Sequence, residues 1–395
     1  MNTGAPPAAG DPVRAARWAL LAGNFAIGCG VMSAAGALND LAQSLAVTVA
    51  GAGQLITVAA VAMAVGAPLL AALLGAWDRR RLLVLALAWF AVGHALCALM
   101  PTLAALLPLR AATMLGAAVF TPQAAAAIGA LAPPHQRGRS IAFVFLGWSV
   151  ASVLGLPVTG ALAETAGWRW AFAAVALLSA LAAWGVARAL PAGLRAAPLT
   201  RASWRAALAN PWLMAIVAVT ALSGAGQFTL HSYLTPYLKQ VLLASTAAMT
   251  FLLFWFGAFG LVGNVAMARA VDRIGPGRGA TLMVALMALS MLLWPLAAGV
   301  VALALVSVPW ALAIFAANSA QQARLVAAAP AVAPALLALN TSAIYVGQAL
   351  GAGSGGALLA AHGFGALSGA ALAWMLVALA VSLLALRRER SGALA

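Results

Sequence analysis

The sequence predicts an all-α membrane protein, twelve transmembrane helices in two pseudo-symmetric six-helix halves, and three observations predict it. First, 65% of the 395 residues are hydrophobic and 7% are charged, with a mean hydropathy of +1.04. Soluble domains carry about 45–50% apolar and about 25% charged residues, and no water-soluble fold could cover this excess. Second, apolar runs of about 20 residues, the length that crosses a hydrocarbon core of about 30 Å as a helix, follow one another almost end to end. Exposed backbone cannot be satisfied in lipid, so such runs must be helical. Third, the charged stretch Arg269-Ala-Val-Asp272-Arg273-Ile-Gly275-Pro-Gly-Arg278 has a shorter copy at Gly75-Ala-Trp-Asp78-Arg79-Arg80-Arg81, and 194 positions separate the two aspartates. Each copy closes one apolar run and opens the next.

Taken in order, residues 1–17 read as a disordered cytoplasmic N-terminus, Ala/Gly/Pro-rich over Met1 to Pro12. This is not a signal peptide, because the run after Arg17 continues at full spanning length without a cleavage pattern. Residues 18–187 form the first half, with spans at Trp18 to Leu38, Gly51 to Leu74, Leu82 to Met100, Leu103 to Ile128, Ser140 to Ala161 and Trp168 to Ala187. Residues 188–210 are a cytoplasmic linker containing Pro191 and Pro198, with a surface-lying amphipathic segment around Trp204. Residues 211–386 repeat the plan with Pro211 to Leu230, Ser245 to Met267, Gly279 to Ala298, Val300 to Ala323, Ala335 to Ala360 and Phe364 to Leu386, and 387–395 are a cytoplasmic tail. Leu154-Gly155-Leu-Pro157-Val-Thr-Gly160-Ala-Leu in the fifth span matches Leu350-Gly351-Ala-Gly353-Ser-Gly-Gly356-Ala-Leu in the eleventh, an offset of 196. Six spans is an even number, so the halves share one orientation and are related by an axis along the membrane normal. That arrangement places a substrate site at their interface near the midplane.

The net charge of +15 could suggest nucleic acid, but the basic residues sit in alternate loops rather than on one face. Under the positive-inside rule they put both termini and the linker in the cytoplasm. Cys29 and Cys97 fall inside apolar runs and read as small buried hydrophobes rather than a disulfide. Nothing in the sequence calls for a metal or a cofactor.

Four signatures resemble the major facilitator superfamily, and within it the twelve-span drug and sugar efflux branch related to arabinose-efflux permeases. They are the two Asp-Arg loops, with Ala268 where the second would begin with Gly; Arg110 in the fourth span, as Arg-Ala-Ala-Thr-Met-Leu-Gly116; Gly147-x7-Gly155-x-Pro157-x-x-Gly160 followed by Gly167-Trp168-Arg169; and Leu339-Asn340-Thr-Ser342-Ala-Ile-Tyr345-Val-Gly347-Gln348 in the eleventh span. The resemblance covers about Trp18 to Leu386. It implies alternating access, export and proton use, and it places the first, fourth, seventh and tenth spans around the cavity and the fifth at the interface between halves.

Each signature also has a physical reading. Asp78, Arg79, Asp272 and Arg273 form a candidate cytoplasmic gate, since a carboxylate there can accept from helix N-terminal N–H groups and pair with arginine; they could equally just balance the topogenic arginines. Gly147, Gly155, Pro157, Gly160 and Gly351 are candidate interface and hinge positions, with small residues for close packing and Pro157 for a bend. Arg110 lies about two turns inside a span, where charge is expensive; it reads as a substrate anchor or as a structural arginine bonded to carbonyls. The resembling proteins often have an acid in the first span, and Val31 stands in that place here. Of the six acids, Asp40 and Glu164 lie at span ends next to a possible cavity, so Asp40 is the preferred proton acceptor, with a helix-end role as its plainer reading. His94 and His231 offer imidazoles for proton coupling; His94 also reads as a packing residue, and His135 and His362 as loop residues. Asn24, Gln123, Gln227, Trp310, Asn318 and Gln322 complete a mostly apolar candidate cavity with a few hydrogen-bonding groups.

The expected function is export of a small organic solute across the bacterial inner membrane by a monomer in the lipid bilayer, with protons as the driving partner and no nucleic acid involved. An uncoupled facilitator or importer is the alternative that Val31 favours. An intramembrane enzyme is remote, because no His-Glu-x-x-His, Gly-x-Ser-x-Gly or phosphate-binding Gly-rich loop occurs.

Overall fold

The computed structural model describes residues 12–133, 136–195 and 201–390, without the side chains of 12, 137–139, 142, 156, 201, 272, 334 and 390. His135 and the N-terminal stretch before Pro12 therefore lie outside the described residues. Among these residues, twelve helices are long and apolar enough to cross a membrane. The first six are α1 (Pro12–Gly36), α2 (Val49–Leu73), α3 (Arg79–Ala98), α4 (Leu103–Leu131), α5 and α6 (Trp168–Ala189). Helix α5 runs as Arg137–Val150, a π-helical turn at Ala151–Gly155, and Leu156–Ala166. The second six are α7 (Pro211–His231, extended by Leu234–Gln240), α8 (Thr246–Ile274), α9 (Pro276–Leu293), α10 (Val300–Val306 and Val308–Ala328), α11 (Ala333–His362) and α12 (Gly365–Arg390).

Several boundaries differ from the sequence expectation by a few residues, α8 running past Met267 to Ile274 among them. Residues 12–17 are the first turns of α1 rather than disordered chain, with Pro12 at the first helical position, where an N–H would have no partner within the helix. Helix α10 continues past Ala323 to Ala328, and α12 continues past Leu386 to Arg390. Both extensions carry charged residues that turn out to be paired.

Polar residues start the helices. Thr48, Asp78, Thr102, Asn210 and Ser245 accept from first-turn backbone N–H groups of α2, α3, α4, α7 and α8, satisfying donors that have no partner within the helix. Gly167 (φ 98°) and Gly363 (φ 72°), 196 positions apart, make the turns into α6 and α12 in the left-handed region that favours glycine.

Packing repeats between the halves: α1 against α5 and α6, α2 against α4, and α3 against α4 and α6 recur as α7 against α11 and α12, α8 against α10, and α9 against α10 and α12. The halves meet along two seams, α2 with α11 and α5 with α8. One end of the bundle, here the terminal face, carries the start of α1, the linker helix Arg201–Ala209 and the end of α12; the other is the distal face. Hydrogen bonds between the halves occur at the distal face, where Thr235 Oγ1 donates to the Ala35 carbonyl (2.7 Å) and Lys239 Nζ donates to Glu164 Oε2 (2.6 Å). An apolar core is continuous there across both halves, joining Leu38, Leu41 and Trp168 to Leu230, Leu234 and Leu253. Tyr233 reaches from the second half into a notch that Gly53 leaves in α2, its hydroxyl donating to the Ala352 carbonyl at 2.8 Å.

Candidate functional site

Midway along the helices, each half holds a cluster of uncharged polar groups. In the first half Asn24 (α1) donates through Nδ2 to the Val144 carbonyl (α5, 3.1 Å) and accepts at Oδ1 from Thr121 Oγ1 (α4, 2.9 Å). Trp148 Nε1 donates to the same threonine oxygen at 3.2 Å. In the second half Thr220 Oγ1 (α7) donates to Asn340 Oδ1 (α11, 2.6 Å), and Asn340 Nδ2 donates to Asn318 Oδ1 (α10, 3.0 Å). Thr220 stands 196 positions after Asn24, and Asn340 stands 196 after Val144. The same two helix pairs are thus clasped at the same level by different side chains. Gln321 Nε2 donates to the Ile216 carbonyl at 2.7 Å, while Gln321 Oε1 and Ser342 Oγ are buried without a partner among the described residues. Each such orphan costs about 1–3 kcal/mol when dry, so this cluster has hydrogen-bonding capacity to spare. Gln123 and Gln227 are buried and Asn318 and Gln322 half-buried.

Arg110 does not face that region. Its side chain is fully buried inside the first half, about 10 Å from the distal end of α4 at 1.5 Å per residue. Nη1 donates to His94 Nε2 (α3, 2.9 Å), and Nη2 donates to the carbonyls of Gly30 (2.7 Å) and Val31 (3.3 Å) in α1. The guanidinium also lies 5.4 Å from the Phe172 ring centroid of α6, so one side chain ties four helices together. The geometry assigns the His94 tautomer: Nδ1–H donates to the Phe90 carbonyl at 2.9 Å, leaving the Nε2 lone pair to accept from Arg110. Asp40 sits elsewhere, in the short helix Leu38–Ser44, where Oδ2 accepts from the first backbone N–H of α6, that of Trp168, at 2.6 Å.

Trp310 is a core residue that also lines a small cavity of about 10 Å³ with Leu234, Phe256, Trp294 and Ser307. It is fully buried among His231, Phe256 and Trp294, with ring centroids 4.8–6.1 Å away at the steep angles that aromatic quadrupoles favour.

A second buried arginine had no counterpart in the sequence reading. Arg324 in α10 is enclosed: Nε donates to Glu389 Oε1 (2.5 Å), and Nη1 and Nη2 donate to Ser382 Oγ (3.0 Å) and its carbonyl (3.1 Å) in α12. Gly277, in the second charged loop, packs directly on the Glu389 carboxylate. The first loop is held by its own residues and by the linker, whose Leu194 carbonyl accepts from Arg79 N at 2.8 Å. Asp78 Oδ1 accepts from Arg81 N at 2.9 Å as the cap of α3, and buried Arg79 donates to the Gly75 carbonyl at 2.9 Å. Arg273 is exposed, and the Asp272 side chain lies outside the described residues.

The glycine assignments change in one respect. Gly155 and Gly351 were expected between the halves, but they pack within them. A Cβ on Gly155 would strike Cys29 Sγ of α1, and 196 positions on, a Cβ on Gly351 would strike the Ala225 carbonyl and come within 2.9 Å of Thr229 N of α7. Gly28 against Ala151 and Gly224 against Gly347 repeat the correspondence. Gly147 likewise backs onto α1, whereas Gly160 lies between Gly36 and Leu253 of the other half. Backbone of the two halves comes close at Gly257 of α8, where a Cβ would stand 2.6 Å from Val153 Cα in the π-turn of α5. That turn precedes Pro157, whose ring clashes with the Val153 carbonyl in a regular α-helix; the wider turn makes the room.

A testable asymmetry follows. Gly155→Ala should lower the melting temperature of the purified protein, with overpacking costing about 1–3 kcal/mol. Adding Cys29→Ala should restore it, because the obstacle is a side chain. Gly351→Ala meets backbone, so no neighbouring side-chain deletion should rescue it; equal behaviour of the two sites would contradict these contacts.

Residues 20–333 match the Major Facilitator Superfamily. The chain belongs to that superfamily. Within it, the chain is 30% identical over 343 residues to the inner membrane transport protein YdhP of Escherichia coli K12, covering 87% of this chain and 88% of that one. It is 34% identical over 252 residues to a chloramphenicol resistance protein of Streptomyces lividans, covering 63% and 64% of the two chains. Among solved structures it superposes on a bacterial homologue of the human lysosomal transporter Spinster (TM-score 0.77, 18% identity, 97% and 98% coverage) and on the D-xylose-proton symporter (TM-score 0.74, 17% identity, 94% and 97% coverage). The protein is therefore a multi-pass major facilitator transporter of small molecules and not an enzyme, with efflux-type proteins among its relatives.

Proposed function

We propose that this transporter exports a small, largely uncharged organic solute across the bacterial inner membrane in exchange for protons. The observation that carries the substrate class is the pair of mid-membrane clusters, built from Asn24 and Thr121 in one half and Thr220, Asn318, Asn340 and Gln321 in the other, without a carboxylate in either. Amide and hydroxyl groups suit a solute with hydrogen-bonding substituents on an apolar frame. The names of the relatives, an inner membrane transport protein and a chloramphenicol resistance protein, support export of such compounds. The arginine-rich loops put the terminal face in the cytoplasm. The distal links then close the outer side, and the clasp of the opposite state falls to the charged loops Asp78-Arg79 and Asp272-Arg273, which requires Asp78 and Arg79 to exchange their present bonds.

For the proton, the reading favours His94 over Asp40 and His231. Asp40 is engaged as a helix cap, and although both histidines are packed against aromatic rings, His94 is bonded to a charged side chain. A proton on His94 Nε2 would turn the acceptor facing Arg110 into a donor, so protonation and the Arg110 bond exclude each other. Arg110 also holds the α1 backbone at Gly30 and Val31; releasing it frees that helix.

The test is solute uptake into everted membrane vesicles, with chloramphenicol as first probe and an acid-interior gradient imposed. Gradient-driven accumulation, abolished by a protonophore and by His94→Gln while solute exchange persists, is the expected result. Uptake indifferent to the gradient would replace antiport with uncoupled transport, and accumulation intact in His94→Gln would remove His94 from the proton path.

A further inference from the structure

We propose that Glu164 and Lys239 are a clamp that holds the distal face shut and must break each time the transporter opens there. The proposal rests on the alternating-access reading above and adds the residues that bias its two states.

Two ion pairs are present among the described residues. Arg324–Glu389 joins helices of one half, but Glu164–Lys239 crosses from the end of α5 to the extension of α7, 2.6 Å apart. No rearrangement inside either half need break it, and parting the halves at this face must. The carboxylate is largely enclosed, 14% exposed, while the ammonium is 43% exposed. Behind the pair, between the halves, lies a cavity of about 10 Å³, room for about one water, lined by Gly36, Gly160, Glu164, Thr235, Thr246 and Thr250. One wall is made of small residues and Glu164 and the other of three threonines with Met249 and Leu253, so polar groups line this part of the seam beside the apolar core. Water can follow it when the clamp opens.

The magnitude also suits a gate. Half-exposed ion pairs are weak, so this one biases the equilibrium between states by a few-fold. A pair that held much more tightly would trap the protein closed.

The experiment uses the full-length protein in membranes, with Thr250→Cys as reporter behind the clamp and a protein lacking the reporter as control, since Cys29 and Cys97 are buried. A membrane-impermeant maleimide is applied from the distal side. Glu164→Gln and Lys239→Gln should each raise the labelling rate about two- to fivefold, and the double swap Glu164→Lys with Lys239→Glu should return it to within about 1.5-fold of the parent. A second reporter, Gln322→Cys, labelled from the terminal side, should slow in the single variants, because opening one face closes the other. Unchanged labelling, or a swap no better than the singles, overturns the clamp. Faster distal labelling without slower terminal labelling means local fraying and overturns it as well. None of these readouts needs a substrate, so failure of the export reading would show separately, in the vesicle assay.

Discussion

Glu389→Ala should strip the purified protein of a large part of its stability, about 3–5 kcal/mol, because it leaves the enclosed Arg324 guanidinium without its carboxylate. The two Ser382 contacts remain, but a hydroxyl and a carbonyl cannot neutralise the charge. The effect extends beyond the pair. Ser382 Oγ is also 2.7 Å from Thr281 Oγ1, which donates to the Gly277 carbonyl at 2.9 Å, so α9, α10, α12 and the second charged loop share one network at the terminal face. Removing both charges together, as Arg324→Leu with Glu389→Leu, should cost much less than removing the acid alone, since replacing a buried pair by apolar residues is often close to neutral. Thermal unfolding in detergent monitored by tryptophan fluorescence checks this, and a double variant as unstable as Glu389→Ala would contradict the pairing. The same result would show that the end of α12 cannot be trimmed at Leu386 without consequence.

Arg110→Leu should abolish transport and lower stability by at least about 2 kcal/mol. It removes three charge-assisted hydrogen bonds and strands His94 Nε2, at about 1–3 kcal/mol, while the Gly30 carbonyl keeps the Ser33 hydroxyl at 2.8 Å. Arg110→Lys keeps the charge but not the fork that reaches α1 and α3 at once. It should therefore retain more folded protein than the leucine variant while still failing to accumulate solute against a gradient. Comparing size-exclusion profiles with vesicle uptake separates the two losses, and a leucine variant with normal uptake would make the node dispensable.

Much of this architecture was legible in the sequence because it depends on composition and period. Twelve apolar runs, the loop offset of 194 and the span offset of 196 announce twelve helices in two like halves, and the contacts of Asn24 with Val144 and Thr220 with Asn340 follow the second offset. What escaped was the direction in which residues face. Glycine has no side chain whose pattern marks a helix face, so Gly155 and Gly351 could be placed at a close crossing but not at the correct one. Arg324 and Glu389 escaped because each charge was taken to end a span, when each instead cancels the other inside the bundle. Arg110 was visible as a costly charge, but its partner was not: spacing along one chain does not say that His94, 16 residues earlier, lies across a helix turn at 2.9 Å. Glu164 read only as a span-end residue and Lys239 falls between the seventh and eighth runs, and only the folded halves bring them together.

The π-turn in α5 has a mechanical consequence. Its counterpart α11 is unbroken from Ala333 to His362, with Gly353 where α5 has Pro157. The two seams are symmetry mates in layout, yet one bears on a rod and the other on a jointed arm whose joint is the point of contact with Gly257. A rocking stroke about such a pair cannot keep the two-fold symmetry of the resting molecule: deformation collects at the joint, and the stiff side acts as the fulcrum. The duplication that gave the transporter matching halves thus left it, through one proline, with a preferred side on which to bend.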